Sequence, residues 1–312
     1  MPDQVESDGH FQPAPSPRER REGRGEGRIT ELGPIAARAL EHASVGKFVA
    51  VFERSAYLDF GGDLVCIGTP DIGSGPLNAL VESAQAFDAI RRSQNADVSC
   101  ERGFAHVGFT SFRFASAHRW HPTPVASRLD AKRLSRGVEH VREWARGNAP
   151  GEGLSSLVAQ TSAAGALARA GRDAVRALQA WVGDADDVSL SPLVSLIGLG
   201  PGLTPSGDDF LGGAIVALHC YGRAHDARRL AQHLRLEGAT HPISVAHWRA
   251  ACEGLCSEAL HTCLRDMAEG RASRASLDRV AAIGHTSGWD ALAGATTIAA
   301  ALSRATDAAA AD

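Results

Sequence analysis

Gly198-Leu-Gly-Pro-Gly-Leu-Thr-Pro-Ser-Gly-Asp-Asp-Phe-Leu-Gly-Gly213 is the least random stretch of the chain. An apolar run, Leu193 to Ile197, leads into it. Gly198, Gly200 and Gly202 permit a tight turn and close backbone approach, and Pro201 and Pro205 stiffen it. Ser206, Asp208 and Asp209 then stand where a helix should begin, with Phe210 to Leu218 continuing it. A helix N-terminus carries unpaired N–H groups and a partial positive charge that attract anions. The segment therefore reads as a loop for a small anionic group, with carboxylates placed for a metal ion or polar contacts. The plainer reading makes Ser206 an N-cap and lets the two acids complement the helix dipole. Adjacent acids repel an anion, so either a cation intervenes or they point elsewhere. No Lys follows the glycines, which excludes a Walker A loop, and the last glycine of a G-x-G-x-x-G fingerprint would fall on Leu203 or Pro205.

A second segment repeats the theme. Ile283-Gly-His-Thr-Ser-Gly-Trp-Asp290 precedes Ala291-Leu-Ala-Gly294. Its small residues predict a turn, with the hydroxyls of Thr286 and Ser287 facing a ligand and a helix from about Asp290 to Arg304. His285 suits general acid, general base or hydrogen-bonding work. Alternatively Ser287 or Asp290 caps the helix and His285 packs at its edge. Thr69-Pro-Asp-Ile-Gly-Ser-Gly-Pro76 reads as a strand-to-helix turn opening a helix over Leu77 to Phe87. Cys252, Cys256, His261 and Cys263 lack the paired C-x₂₋₄-C spacing of structural zinc sites, and Cys256 and Cys263 share an apolar stripe with Leu260, Leu264 and Met267. His118 and His121 precede prolines in a loop and carry little signal.

Around these motifs the chain changes period. Residues 1–28 are dominated by Pro, Glu, Arg, Gly and Asp and read as a disordered tail. Residues 29–128 form a β-rich module. Phe48 to Phe52 is an apolar run, Tyr57–Phe60 and Leu64–Ile67 flank a Gly61-Gly62-Asp63 hairpin turn, and Val107 to Phe114 is extended. Residues 129–312 are helical, with one apolar stripe through Leu129, Leu134, Val138, Val141 and Trp144 and a second helix over Gly165 to Val182. The expected fold class is α+β, the β-rich half packed with a mostly α-helical half. Of the 312 residues 44% are hydrophobic and 22% charged, which supports an ordinary core. A net charge of −4, a pI near 6.4 and 5% aromatics argue against nucleic acid as a partner. The N-terminus shows no secretory signal and no run of about 18 apolar residues occurs, so a membrane span is not expected and a cytoplasmic location with reduced cysteines is.

The two glycine-rich motifs, 198–213 and 283–294, resemble the signatures of the bacterial AllH family, with a looser match from about Ile29 to Leu302. The resemblance implies a subunit of oxamate carbamoyltransferase working with two partner subunits, AllF and AllG. Such a complex moves a carbamoyl group between oxalurate or oxamate and phosphate in allantoin (purine) catabolism, forming carbamoyl phosphate. Activity would then require the partners. The family supplies no catalytic assignment, so only motif membership carries over: to Gly200, Gly202, Thr204, Ser206, Gly207, Asp208, Asp209, His285, Ser287, Gly288 and Asp290. On this reading the 200–207 loop, with Ser287, Gly288 and Asp290, binds phosphate or carboxylate. His285 polarises a carbonyl or moves a proton, and Asp208 and Asp209 orient the nitrogen end or hold Mg²⁺. Two rivals stand beside it: a non-catalytic assembly or anion-sensing subunit, and a Mg²⁺-dependent enzyme acting on another small ureido or carbamoyl substrate.

Overall fold

Period-two alternation builds the first half. In the computed structural model, which describes residues 25–42, 44–125, 129–183 and 188–309, nine strands form one sheet. They are β1 (Gly25–Leu32), β2 (Val45–Val51), β3 (Ser55–Phe60), β4 (Asp63–Gly68), β5 (Asn78–Val81), β6 (Val98–Glu101), β7 (Phe104–Val107), β8 (Thr110–Arg113) and β9 (His118–Arg119). Their order is β5-β4-β3-β2-β6-β7-β8-β1-β9, and a β1–β5 pairing closes eight of them into a barrel. Helices α1 (Pro34–His42) and α2 (Ala84–Arg92) lie in this half. The helical half contains α3 (Ala131–Asn148), α4 (Ser155–Ala159), α5 (Ala166–Gly183), α6 (Ser191–Val194), α7 (Ser206–Cys220), α8 (Ala224–His233), α9 (Pro242–Cys252), α10 (Glu258–Ala268), α11 (Arg274–Ala281) and α12 (Ser287–Ala309). The α+β expectation holds.

Strand β3 shows how the halves meet. Ala56, Leu58 and Phe60 point into the barrel core, while Tyr57 points the other way. Its neighbour β4 is buried on both faces. Val65 and Ile67 fill the barrel, and Leu64 and Cys66 pack with Ile243, Ala246 and Ala250 of α9. The outer face of β3–β4 is therefore the seam with the helical half. Arg38 of α1 spans it as well, pairing both guanidinium ends with Glu253 at 2.8 and 3.0 Å.

Several sequence expectations are corrected. Gly25–Arg28, assigned by composition to the tail, pair in parallel with Thr110–Arg113. Gly27 is required there, because a Cβ would stand 2.7 Å from the Phe112 ring. Residues 1–24 of the expected tail lie outside the described residues. Leu77 to Phe87 is not one helix. Asn78–Val81 form β5 against Cys66–Gly68, and α2 starts only after its N-cap Ser83, whose Oγ accepts from the Ala86 amide. Val107 to Phe114 is broken by Gly108 (φ +57°) into the β7–β8 turn. The last helix starts at Ser287, not Asp290. The Gly61-Gly62 hairpin turn is as expected, both glycines at positive φ.

Helices α7 and α12 form the centre of the helical core and cross at glycines. A Cβ on Gly213 would overlap the Ala291 carbonyl oxygen and stand 2.7 Å from its carbon. One on Gly294 would overlap the Phe210 carbonyl oxygen and stand 2.9 Å from the Ala214 amide nitrogen. The two backbones thus touch directly, and this contact brings the two motif turns together. Among the described residues no helix is long and apolar enough to cross a membrane.

Candidate active site

The glycines of the first motif shape its loop. Gly198, Gly200 and Gly202 have φ of +71°, +124° and +92°. A Cβ on Gly200 would stand 2.7 Å from the Ser206 amide nitrogen, so only glycine lets the loop lie on the helix start. The N-cap position is held by Pro205, not Ser206, which is the first helical residue. The Pro205 carbonyl accepts from the amides of Asp208 (2.9 Å) and Asp209 (3.1 Å), and Leu199 accepts from Gly207 (2.9 Å). Three first-turn amides of α7, those of Gly207, Asp208 and Asp209, thus face the protein's own carbonyls. The donors that remain lie in the loop and at the helix start: among the described residues, the amides of Gly200, Gly202, Leu203, Thr204 and Ser206 have no protein acceptor.

The adjacent acids divide. Consecutive helical residues point about 100° apart, and their partners differ accordingly. Asp208 is buried, and both its oxygens are engaged. Oδ1 accepts from the Gly198 amide (2.8 Å), and Oδ2 accepts from the hydroxyls of Thr240 (2.5 Å) and Ser244 (2.6 Å). It is a latch that fixes the loop. Among the described residues no group of three or more His, Cys, Asp or Glu is placed to hold a metal ion. Asp209 turns toward Ser287 and Thr204, and its Oδ2 is shut off from solvent without a hydrogen-bond partner. Burial lifts its carboxyl well above the usual carboxylate range, opposed by the Ser287 hydroxyl and reinforced by the charges of Asp290 and Asp208.

The second motif meets the first. Thr204 Oγ1 and Ser287 Oγ are 2.9 Å apart across 83 residues of sequence. Gly288 packs on the Val280 carbonyl, where a Cβ would overlap it. Asp290 is 0% exposed and its Oδ1 accepts from the Leu154 amide at 2.5 Å. Burial raises its pKa, offset by that amide and by the hydroxyls of Thr286 and Ser206. Asp290 thus anchors the loop before α4 rather than capping its own helix. His285 lies outward, its side chain 84% exposed, with Nε2 2.6 Å from Glu152 Oε2.

The glycine loops, the latch and the converging hydroxyls all fall within one recognisable segment. Residues 196–299 match the family model of oxamate carbamoyltransferase subunit AllH. The matched segment runs from Leu196, just before the first motif, through the first half of α12. It holds every motif residue singled out above and leaves the barrel outside. No solved structure matches the chain.

Sequence reasoning missed two contributors. Pro150-Gly-Glu-Gly-Leu154 closes over the AllH segment through Glu152 and the Leu154 amide. Gly153 is needed because a Cβ there would stand 2.5 Å from Asp290 Oδ1. Its Gly-x-Gly pattern was the available signal. Tyr57 and His247 pair across the seam, Tyr57 Oη to His247 Nε2 at 2.9 Å, with no motif around either. The Thr69–Pro76 turn proves to be a strut: the Ser74 carbonyl accepts from the Glu258 amide at 2.9 Å. The cysteine cluster is likewise internal. His261 Nε2 accepts from the Cys256 amide (3.2 Å), its Nδ1 lies 3.6 Å from Cys220 Sγ, and burial pushes the Cys220 thiol up to about 12.

Proposed function

We propose that this chain is the AllH-type subunit of an oxamate carbamoyltransferase, contributing to carbamoyl transfer between oxalurate or oxamate and phosphate in allantoin breakdown, with AllF-like and AllG-like partner subunits. The observation that carries the reading is the meeting of both AllH-segment turns, Thr204 on Ser287, beside a carboxyl with an unpaired oxygen. In phosphorolysis a phosphate oxygen attacks the carbamoyl carbon of oxalurate, the bond from that carbon to the oxamate nitrogen breaks, and that nitrogen takes a proton. The loop amides of Gly200, Gly202 and Thr204 are the donors for the anionic end. Ser206, Gly207, Gly288 and Asp290 shape the turns that present them, and the Ser287 hydroxyl adds a donor. Fixed donors of this kind stabilise developing oxyanions. Asp209, whose buried carboxyl retains its proton to higher pH, is suited to protonate the leaving nitrogen. His285 stands at the rim against Glu152. No step here requires Mg²⁺.

The test is reconstitution with the two partner subunits and measurement of carbamoyl phosphate formed from oxalurate and phosphate. Asp209→Asn is expected to lower turnover at least 100-fold, the size of a general-acid contribution, with a melting temperature no lower than wild type. An inactive wild-type complex rejects the reaction. An active complex indifferent to Asp209→Asn removes that carboxyl from the mechanism.

A further inference from the structure

Tyr57 is the one aromatic hydroxyl that the barrel directs at the seam beside the AllH segment. It lies on the face of β3 opposite Ala56, Leu58 and Phe60, partly open to solvent, and edge-on to His247 with ring centroids 6.0 Å apart. Leu203, next to Thr204 in the glycine loop, packs into the same seam cluster as Tyr57. Tyr57, Leu203, Thr204, Asp209, His247 and Ser287 all stay partly accessible. Ser287 meets Thr204 and both meet Asp209, Tyr57 meets His247, and the charge of Asp209 reaches Tyr57.

We propose that the ligand site is built across the seam, and that Tyr57, oriented by His247, donates a hydrogen bond from the barrel to the carboxylate or carbonyl oxygen of a small 2-oxo acid amide whose other end meets Thr204, Asp209 and Ser287. The inference rests on the carbamoyl-transfer reading for its ligand. His247 has its Nε2 on the phenol oxygen. With that nitrogen as donor, the phenol keeps its own proton, and its other side-chain neighbour is the Cys66 thiol, a weak acceptor that an anion outcompetes. Both groups stay neutral near pH 7: burial holds His247 down to about 4 and pushes Tyr57 well up, with Cys66 and the charge of Asp209 adding to the rise. A neutral phenol can only donate toward an anion, which is the polarity that an oxamate-like carboxylate requires. The barrel thereby acquires a chemical role besides a structural one, and the site would be incomplete in the matched segment alone.

The experiment measures oxamate binding to the full chain, by ligand-dependent melting and by calorimetry, with kcat and KM of the reconstituted complex alongside. Tyr57→Phe keeps the ring and removes the donor. It is expected to weaken oxamate binding and raise its KM about tenfold, as for loss of a hydrogen bond to a charged acceptor, while ligand-free melting stays near wild type. His247→Gln, which loosens the phenol without removing it, is expected to give a smaller loss in the same direction. Oxamate affinity within twofold of wild type in Tyr57→Phe overturns the proposal. So does a fall in ligand-free melting with unchanged affinity, which would make the pair a staple of the seam. A wild-type chain that binds neither oxamate, phosphate nor carbamoyl phosphate rejects the carbamoyl-transfer reading and this inference with it. Wild-type binding that Tyr57→Phe retains rejects the inference alone.

Discussion

Two consecutive glycines in α7 offer a sharp test of how the site is held together. Gly212 and Gly213 share a helix, a sequence neighbourhood and a helical propensity, but not an environment. A Cβ on Gly212 has the Ala251 Cβ as its nearest neighbour at 3.8 Å, an ordinary contact. Replacing it with Ala should gain roughly 0.5–1 kcal/mol from helix propensity. A Cβ on Gly213 meets the backbone of α12: it overlaps the Ala291 oxygen and stands 2.7 Å from the carbon and 2.9 Å from the Cα. Backbone cannot rotate away as a side-chain tip can, so the helices must part by on the order of 1 Å along their central contact. Overpacking of this kind costs about 1–3 kcal/mol beyond the propensity gain. The expected net gap between the two variants is about 2–4 kcal/mol, which for a chain of this size separates their melting temperatures by several degrees. Urea denaturation and thermal melting read it directly. Because the same crossing brings Thr204 to Ser287, Gly213→Ala should also weaken ligand binding, and Gly212→Ala should not. Equal stabilities of the two variants would refute the claim that direct backbone contact sets the α7–α12 geometry.

Other outcomes follow from the same geometry. Asp208→Ala leaves the Gly198 amide and the Thr240 and Ser244 hydroxyls without their acceptor; a loss on the order of 3 kcal/mol is expected in chemical denaturation. Asp209 has a folded pKa above its unfolded one, so the folded chain binds that proton more tightly, and stability present below the unfolded pKa is lost as pH rises through the folded pKa. Asp209→Asn should therefore match wild type near pH 4 and gain on it progressively toward pH 8, when denaturation is followed across that range. Arg38 and Glu253 are each more than a third exposed, and a double-mutant cycle should give a coupling below about 1 kcal/mol that shrinks with added salt.

The sequence made the motif turns legible because glycine, proline and hydroxyl residues report backbone shape locally. Gly198, Gly200 and Gly202 at positive φ are what such spacing requires. The hairpin at Gly61-Gly62 and the long helical stripes were visible for the same reason. Misreadings arose where a partner distant in sequence decided the outcome. Leu77 to Val81 has enough apolar residues for either state, and becomes strand because β4 and β1 offer edges to it. Ser206 looks like a cap, but the Pro205 carbonyl and the Asp208 latch fix the helix start instead. Asp208 and Asp209 are alike in sequence, and only the elements packed around α7 give one three donors and leave the other an unpaired oxygen.

By itself the sequence determined that a β-rich half precedes a helical half, and that two small-residue turns, 198–205 and 283–286, open helices, since these depend on side-chain periodicity and on backbone freedom carried by each residue. The tertiary structure alone decided that those turns touch, that one acid of the pair is fully hydrogen-bonded while the other keeps a buried oxygen without a partner, and that Tyr57 of the barrel faces the same seam. Those outcomes depend on which surfaces pack together, and packing joins residues whose separation along the chain leaves no local trace.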